Sequence, residues 1–170
     1  MSLDGPPVLV VMGVSGAGKT SVAQALSSRL GWAFEEGDLL HPAANVAKMH
    51  EGIPLTDADR QPWLAAVAAW IDGQLAAWLP GIIACSALKR SYRRMIVGSR
   101  PRIHLLYLRG DAALIADRLT HRHGHFMPPS LLQSQFDTLE EPGPEEDPLI
   151  VDIGPPADEI AEAIIRMLGM

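Results

Sequence analysis

The stretch GVSGAGKT, residues 13–20, decides how the rest of the chain is read. Gly13, Gly18, Lys19 and Thr20 complete the pattern G-x-x-x-x-G-K-[ST], a loop whose main chain folds around phosphate oxygens. The glycines let backbone N–H groups turn inward, and the helix that follows offers the positive end of its dipole to an anion. Lys19 adds a full charge within reach of β- and γ-phosphates, and Thr20 supplies a hydroxyl for Mg2+. Ser15, Gly16 and Ala17 are small enough to leave the loop unobstructed, and Ser21 is grouped with them as a nucleotide contact. The context fits. Val8–Met12 is a continuous apolar run, as expected of a strand buried on both faces. After the loop, Val22, Leu26 and Leu30 recur at helical spacing, and Gly31 stops the pattern.

Further along, apolar runs and helical patterns alternate. Residues 32–35, 82–85, 103–108 and 149–153 read as four more strands. Residues 62–79 read as a long helix with Trp63, Val67, Trp70, Ile71, Leu75 and Trp78 on one stripe, ended by Pro80 and Gly81. Asp111 is placed to cap a helix carrying Leu114, Ile115, Arg118 and Leu119, and Ile160, Ala161, Ile164, Ile165 and Leu168 pattern a last helix. This alternation predicts an α/β fold in three layers: an open parallel sheet with helices on both faces. Residues 1–170 form one domain, with two excursions at 42–80 and 119–140. Ligands bind at the carboxyl ends of such strands, so the excursions are expected to be a substrate-binding insertion and a lid. The acidic, proline-rich EEPGPEEDP, residues 140–148, is expected to be a surface loop.

The formal charge of -6 argues against nucleic acid as a partner, because phosphate-backbone binding needs a dense basic surface. Arg90, Arg93, Arg94, Arg100, Arg102, Arg109, Arg118 and Arg122 nevertheless crowd one third of the chain. They form either a solvated helix face or a pocket for an anion. The single cysteine, Cys85, has no partner for an internal disulfide, which fits a reducing cytoplasm. The apolar run at residues 6–14 is too short to span a bilayer, and no leader pattern precedes it.

Two classes of nucleotide enzyme are excluded. A guanine-reading Asn-Lys-x-Asp is missing, since the only asparagine is Asn45 in NVAK. No apolar strand ends in the acidic pair that motor-type ATPases need, and Asp152 on the last strand reads as structural. A small phosphotransferase remains.

Three segments then carry a resemblance. GDLLHPAANVAKMHEGIPLTDADRQPWL (37–64), CSALKRSYRR (85–94) and RHGHFMPPSLLQSQFDTLEEP (122–142) resemble the signatures of the gluconate kinases, in order. The resemblance implies a P-loop NTPase fold of the nucleoside-monophosphate-kinase-like type, with five parallel strands in the order 2-3-1-4-5. It implies transfer of the γ-phosphate of ATP to the 6-hydroxyl of D-gluconate, with Mg2+, by a homodimer. Asp38, just beyond the second strand, is then the carboxylate that orients the acceptor hydroxyl and takes its proton. Glu36 holds Mg2+ through water. Arg60 is the first candidate for the gluconate carboxylate, because a guanidinium binds carboxylate in bidentate fashion. Lys89 and Arg90 are second candidates. His41, Asn45, Lys48 and Ser86 are candidates to read hydroxyls, and Asp57 and Asp59 to cap a helix or orient Arg60. Arg118 and Arg122 share one helix face; by resemblance the first stacks on adenine and the second reaches the phosphates. His125 in GHFM matches a lid residue on the substrate side. His121, His123 and His125 alternate, but without a nearby cysteine they do not suggest zinc. Residues 153–156 are expected to line the adenine. One departure stands out: Arg94 follows SYR where the family often has an acidic residue. The alternative is a related P-loop kinase acting on shikimate, another sugar acid or a nucleoside monophosphate. Shikimate kinases carry a glycine run after the third strand, where this chain has Cys85 to Lys89. A non-catalytic nucleotide-binding module would lack Asp38, Arg118 and Arg122.

Overall fold

The computed structural model describes residues 5–120 and 129–170. Five strands, β1 (Val8–Met12), β2 (Ala33–Glu36), β3 (Gly81–Ala84), β4 (Ile103–Arg109) and β5 (Leu149–Asp152), form one parallel sheet in the order β2-β3-β1-β4-β5. The expected strand order is therefore observed. Among the described residues seven α-helices accompany them: α1 (Lys19–Leu30), α2 (Ala43–His50), α3 (Asp57–Ala76), α4 (Arg90–Ile96), α5 (Ala112–Thr120), α6 (Pro129–Thr138) and α7 (Ala157–Met167). Among the described residues no helix is long and apolar enough to cross a membrane.

The central strand explains its own composition. Side chains alternate across a strand, so Leu9 and Val11 enter one core with α1 and α7, while Val8, Val10 and Met12 enter the other with α3 and α4. Both faces are dry, which is why the run has no polar interruption. Gly31 ends α1 and Asp111 caps α5, its carboxylate accepting from the Leu114 N–H at 2.8 Å.

Two expectations fail for local reasons. The long helix starts at Asp57, not at residue 62. Thr56 accepts from the Asp59 N–H at 3.1 Å while the Asp59 carboxylate accepts from the Thr56 N–H at 2.9 Å. This reciprocal cap offsets the one intrahelical bond that Pro62 removes. Asp59 thus shares in the cap, whereas Asp57 turns to other partners. Trp78 does not continue the buried stripe. The helix has ended, Trp78 takes a left-handed φ of 55° and is 59% exposed, and the Arg102 guanidinium lies over its ring, 4.1 Å from the ring centre.

Among the described residues the crowded arginines form no single anion pocket; Arg122 lies outside them. Arg93, 1% exposed, forks onto Glu146 at 2.7 and 3.1 Å and donates to the Ala87 carbonyl at 2.9 Å. Arg90 pairs with Glu145 at 2.6 Å, Arg100 with Asp72 at 2.6 Å and Arg109 with Asp152 at 3.2 Å. Arg94 is exposed. The acidic loop after α6 is therefore strapped onto α4, a helix that the sequence reading did not anticipate.

Candidate active site

The phosphate loop leaves β1 at the carboxyl edge of the sheet, and α1 begins directly behind it. Gly18 is the N-cap of α1, with no side chain over the helix end. Lys19 Nζ donates to the Val14 carbonyl at 3.0 Å, which bends the ammonium back over the loop. Thr20 Oγ1 donates to Glu36, so the two candidate metal-side oxygens of α1 and β2 meet. The Gly13 N–H donates to the Ser86 carbonyl at 3.3 Å, tying the loop to the segment after β3.

Asp38 sits in a 3-10 turn, Gly37–Leu40, just past β2. Gly37 is required there: a Cβ would lie 2.3 Å from the Ala84 carbonyl oxygen. The charges of Asp38, Lys19 and Glu36 all act on the buried Cys85 thiol, just past the end of β3. Burial, reinforced by Asp38, pushes that thiol up to about 12 and keeps it inert. The Asp38 carboxylate is exposed and accepts no hydrogen bond among the described residues.

The excursion after β2 is built around Trp63. Its ring is buried and its Nε1 donates to the Gly37 carbonyl at 2.8 Å, seating α3 beneath the Asp38 turn. His41 stacks on Trp63 at 4.3 Å between ring centres, with planes 15° apart. Burial holds the His41 pKa below the ordinary imidazole range; Asp38 opposes that shift and Arg60 adds to it. Asn45, buried, donates to the Asp59 carbonyl at 2.8 Å and lies 3.2 Å from His41 Nδ1. Lys48 bonds the Asp59 carboxylate at 2.8 Å. Asn45 and Lys48 thus tie α2 to the start of α3, and His41 ties the Asp38 turn to Trp63 of α3.

The cations differ in what they have left to give. Lys89 is engaged by Asp57 at 2.9 and 3.1 Å, and Tyr92 also donates to Asp57. Tyr92 first and Lys89 second hold the Asp57 carboxyl below its usual range. Arg90 lies on Glu145 and Glu146, and its N–H donates to Glu140 at 2.8 Å. Arg60 uses only Nη1, on the Leu55 carbonyl at 2.9 Å and the Tyr92 hydroxyl at 3.1 Å. Its Nε and Nη2 have no hydrogen-bond partner among the described residues.

On the other side of the loop, a cleft of about 200 Å3 is lined by Gly16, Gly18, Ser21, Arg118, Pro155 and Pro156. Arg118 donates to the Ile153 and Gly154 carbonyls, which holds its guanidinium against the turn after β5. Arg122, His125, His121 and His123 lie outside the described residues.

Sequence reasoning missed Tyr92 and Gln135. Tyr92 lies within SYR on the unanticipated α4, where it links Arg60 to Asp57. Gln135 on α6 bonds the phosphate loop at Ser15. Its only signal is a polar residue among the apolar positions Leu132, Phe136 and Leu139.

No family model matches the chain. Individual relatives do. It is 52% identical to the gluconokinase of Gluconobacter oxydans over 161 residues, 95% of this chain and 90% of that one. The chain belongs to the gluconokinase family. The thermoresistant gluconokinase of Escherichia coli is 41% identical over 95% of this chain and 93% of its own length. The crystal structure of a gluconokinase from Sinorhizobium meliloti superposes with a TM-score of 0.87 at 46% identity, covering 96% of this chain and 92% of that one. Membership of the gluconokinase family agrees with the site's layout: a phosphate loop on one side and an open guanidinium fork on the other.

Proposed function

We propose that the protein transfers the γ-phosphate of ATP to the 6-hydroxyl of D-gluconate, giving 6-phosphogluconate. Family membership supports the kinase activity and a small-molecule acceptor. The observation that carries the acceptor's chemical class is Arg60. Among the cations of this excursion it alone keeps a paired Nε and Nη2 edge open among the described residues, and that edge matches a carboxylate. Tyr92 and the Leu55 carbonyl hold the other edge, so the fork is preset.

The remaining roles follow from charge. Phosphoryl transfer is chiefly positioning and charge neutralisation. The loop amides and Lys19 neutralise the phosphates, and Asp38 orients the 6-hydroxyl and takes its proton. The Thr20 hydroxyl and Glu36 carboxylate are hard oxygen donors brought together, a set that fits Mg2+ directly or through water. Bound there, Mg2+ would supply charge neutralisation between the β- and γ-phosphates. The cleft between Arg118 and residues 153–156 suits adenine, with the guanidinium plane over the ring. His41, Asn45, Lys48, Ser86 and Lys89 remain candidates for the hydroxyls, with Arg122 and His125 completing the site from the lid at 119–140. Arg90 is the weakest substrate contact, because Glu145 and Glu146 already hold it. The same reading has the enzyme act as a cytoplasmic homodimer; the single, inert Cys85 thiol suits a reducing compartment.

A coupled ADP-release assay across gluconate, shikimate, other sugar acids and nucleoside monophosphates tests the proposal. Gluconate should give a kcat/KM at least about 100-fold above the rest, the scale of discrimination that a site built around matched polar groups achieves. A preference for shikimate or a nucleoside monophosphate would overturn it.

A further inference from the structure

We propose that Gln135 is a positioning residue for the phosphate loop, presetting it for nucleotide from the neighbouring helix α6. The inference rests on reading residues 13–20 as the ATP site. Gln135 makes a two-point contact with Ser15: its Oε1 accepts from the Ser15 N–H at 2.6 Å, and its Nε2 donates to Ser15 Oγ at 2.8 Å. Both ends of the amide are used, so its orientation is fixed. The contact spans 120 residues of sequence.

The placement of this glutamine is otherwise hard to justify. Leu132 and Phe136 form the core-facing side of α6, Leu139 continues it just past the helix end, and position 135 lies on that side at helical spacing. A polar side chain there must find partners or be penalised. It finds them in the one loop that has to bind phosphate.

The helix that presents Gln135 is itself held. The Glu140 N–H donates to the Leu88 carbonyl at 2.7 Å, and the Glu140 carboxylate accepts from the Arg90 N–H at 2.8 Å. From the other side, Gly16 packs so tightly on α5 that a Cβ would lie 2.9 Å from both Ile115 Cγ2 and Leu119 Cγ. The loop tip is therefore gripped by α5 through Gly16 and by α6 through Ser15. A loop held in its binding shape forfeits less conformational freedom when ligand arrives.

Two variants and three readouts test this. Gln135→Ala should raise the KM for ATP about tenfold while the gluconate KM changes less than about twofold, the loss of two neutral hydrogen bonds being of that order. Amide exchange across residues 14–17 should quicken in the nucleotide-free protein. Gln135→Glu can still accept from both Ser15 groups, so exchange should stay near wild type. Its negative charge should nevertheless weaken ADP binding, measured by calorimetry, at least as much as Gln135→Ala, and added salt should reduce the penalty. Unchanged ATP KM and unchanged loop exchange in Gln135→Ala would overturn the proposal. Wild-type ADP affinity in Gln135→Glu would do the same. Exchange and calorimetry require no turnover, so they stand apart from the choice of acceptor. Should Gln135→Ala fold poorly, Ser15→Ala removes only the hydroxyl half and should reproduce part of the KM effect; no effect there and in Gln135→Glu would overturn the inference.

Discussion

At the scale of single residues, the site is a competition for carboxylates. Lys48, Lys89, Arg90 and Arg93 each hold an acidic side chain of the chain itself. Arg60 differs because its neighbours are a carbonyl and a phenol, which satisfy geometry without neutralising charge. A charge-assisted pair contributes roughly 1.5–3 kcal/mol, so Arg60→Ala should raise the gluconate KM about 10- to 100-fold. The KM for ATP should stay within about twofold. Arg60→Lys should recover little, since an ammonium is a point charge and cannot present a fork. Steady-state kinetics with each substrate varied in turn would read this directly. An unchanged gluconate KM in Arg60→Ala would move the carboxylate contact to Lys89, whose present partner Asp57 is exposed and exchangeable.

At the scale of elements, the start of α3 matters most, because it carries Arg60, the proposed carboxylate contact, and Trp63, which packs under the Asp38 turn. Thr56→Ala should cost about 1 kcal/mol in urea unfolding at neutral pH, the usual worth of an N-cap hydroxyl. Its partner Asp59 is held down to about 2, first by Lys48 and then by the Thr56 N–H. A carboxylate lowered by folding stabilises the native state above its unfolded pKa, near 3.8. That contribution is lost as pH falls from about 4 through about 2. Asp59→Asn should therefore flatten this part of the stability profile while leaving its shape above about pH 5 unchanged. The same element shows what the sequence could and could not tell. β1 and β3 were legible because a run buried on both faces has no polar interruption, and each observed strand begins or ends within a residue of its expected place. The helix start was not: Pro62 is a familiar first-turn residue, and only the Thr56–Asp59 pairing reveals the earlier start. α4 is seven residues long with three arginines, too short and too charged to show a period. In the site, GVSGAGKT was legible because its chemistry is local. The open fork of Arg60 was not, because it depends on which carboxylates fall elsewhere, including Glu145 and Glu146 on a loop more than fifty residues past α4's start. Gln135 was illegible for the same reason, its partner lying 120 residues away.

At the scale of the molecule, the proposed function has the two ligands on opposite sides of the phosphate loop, and the sheet order suits that division. β1 lies between β3 and β4, so on that proposal the chain emerging beyond β2 and β3 would supply the acceptor side, and the turn after β5 with Arg118 the nucleotide side. Each ligand binds the folded form, so each should raise the melting temperature by linkage. A ligand at 100 times its dissociation constant stabilises by about 2.7 kcal/mol. For a chain of this size that is a shift of roughly 5–10 °C. ADP should produce it in wild type and in Arg60→Ala, but not in Lys19→Ala, which removes the charge proposed to face the phosphates. Gluconate should produce it in wild type and in Lys19→Ala, but not in Arg60→Ala. Such a crossed pattern follows only if the two sites are separate in binding and joined solely by the transferred phosphoryl group. Loss of both shifts in either variant, measured by differential scanning fluorimetry alongside urea unfolding to exclude a folding defect, would show that the two halves form one coupled pocket instead.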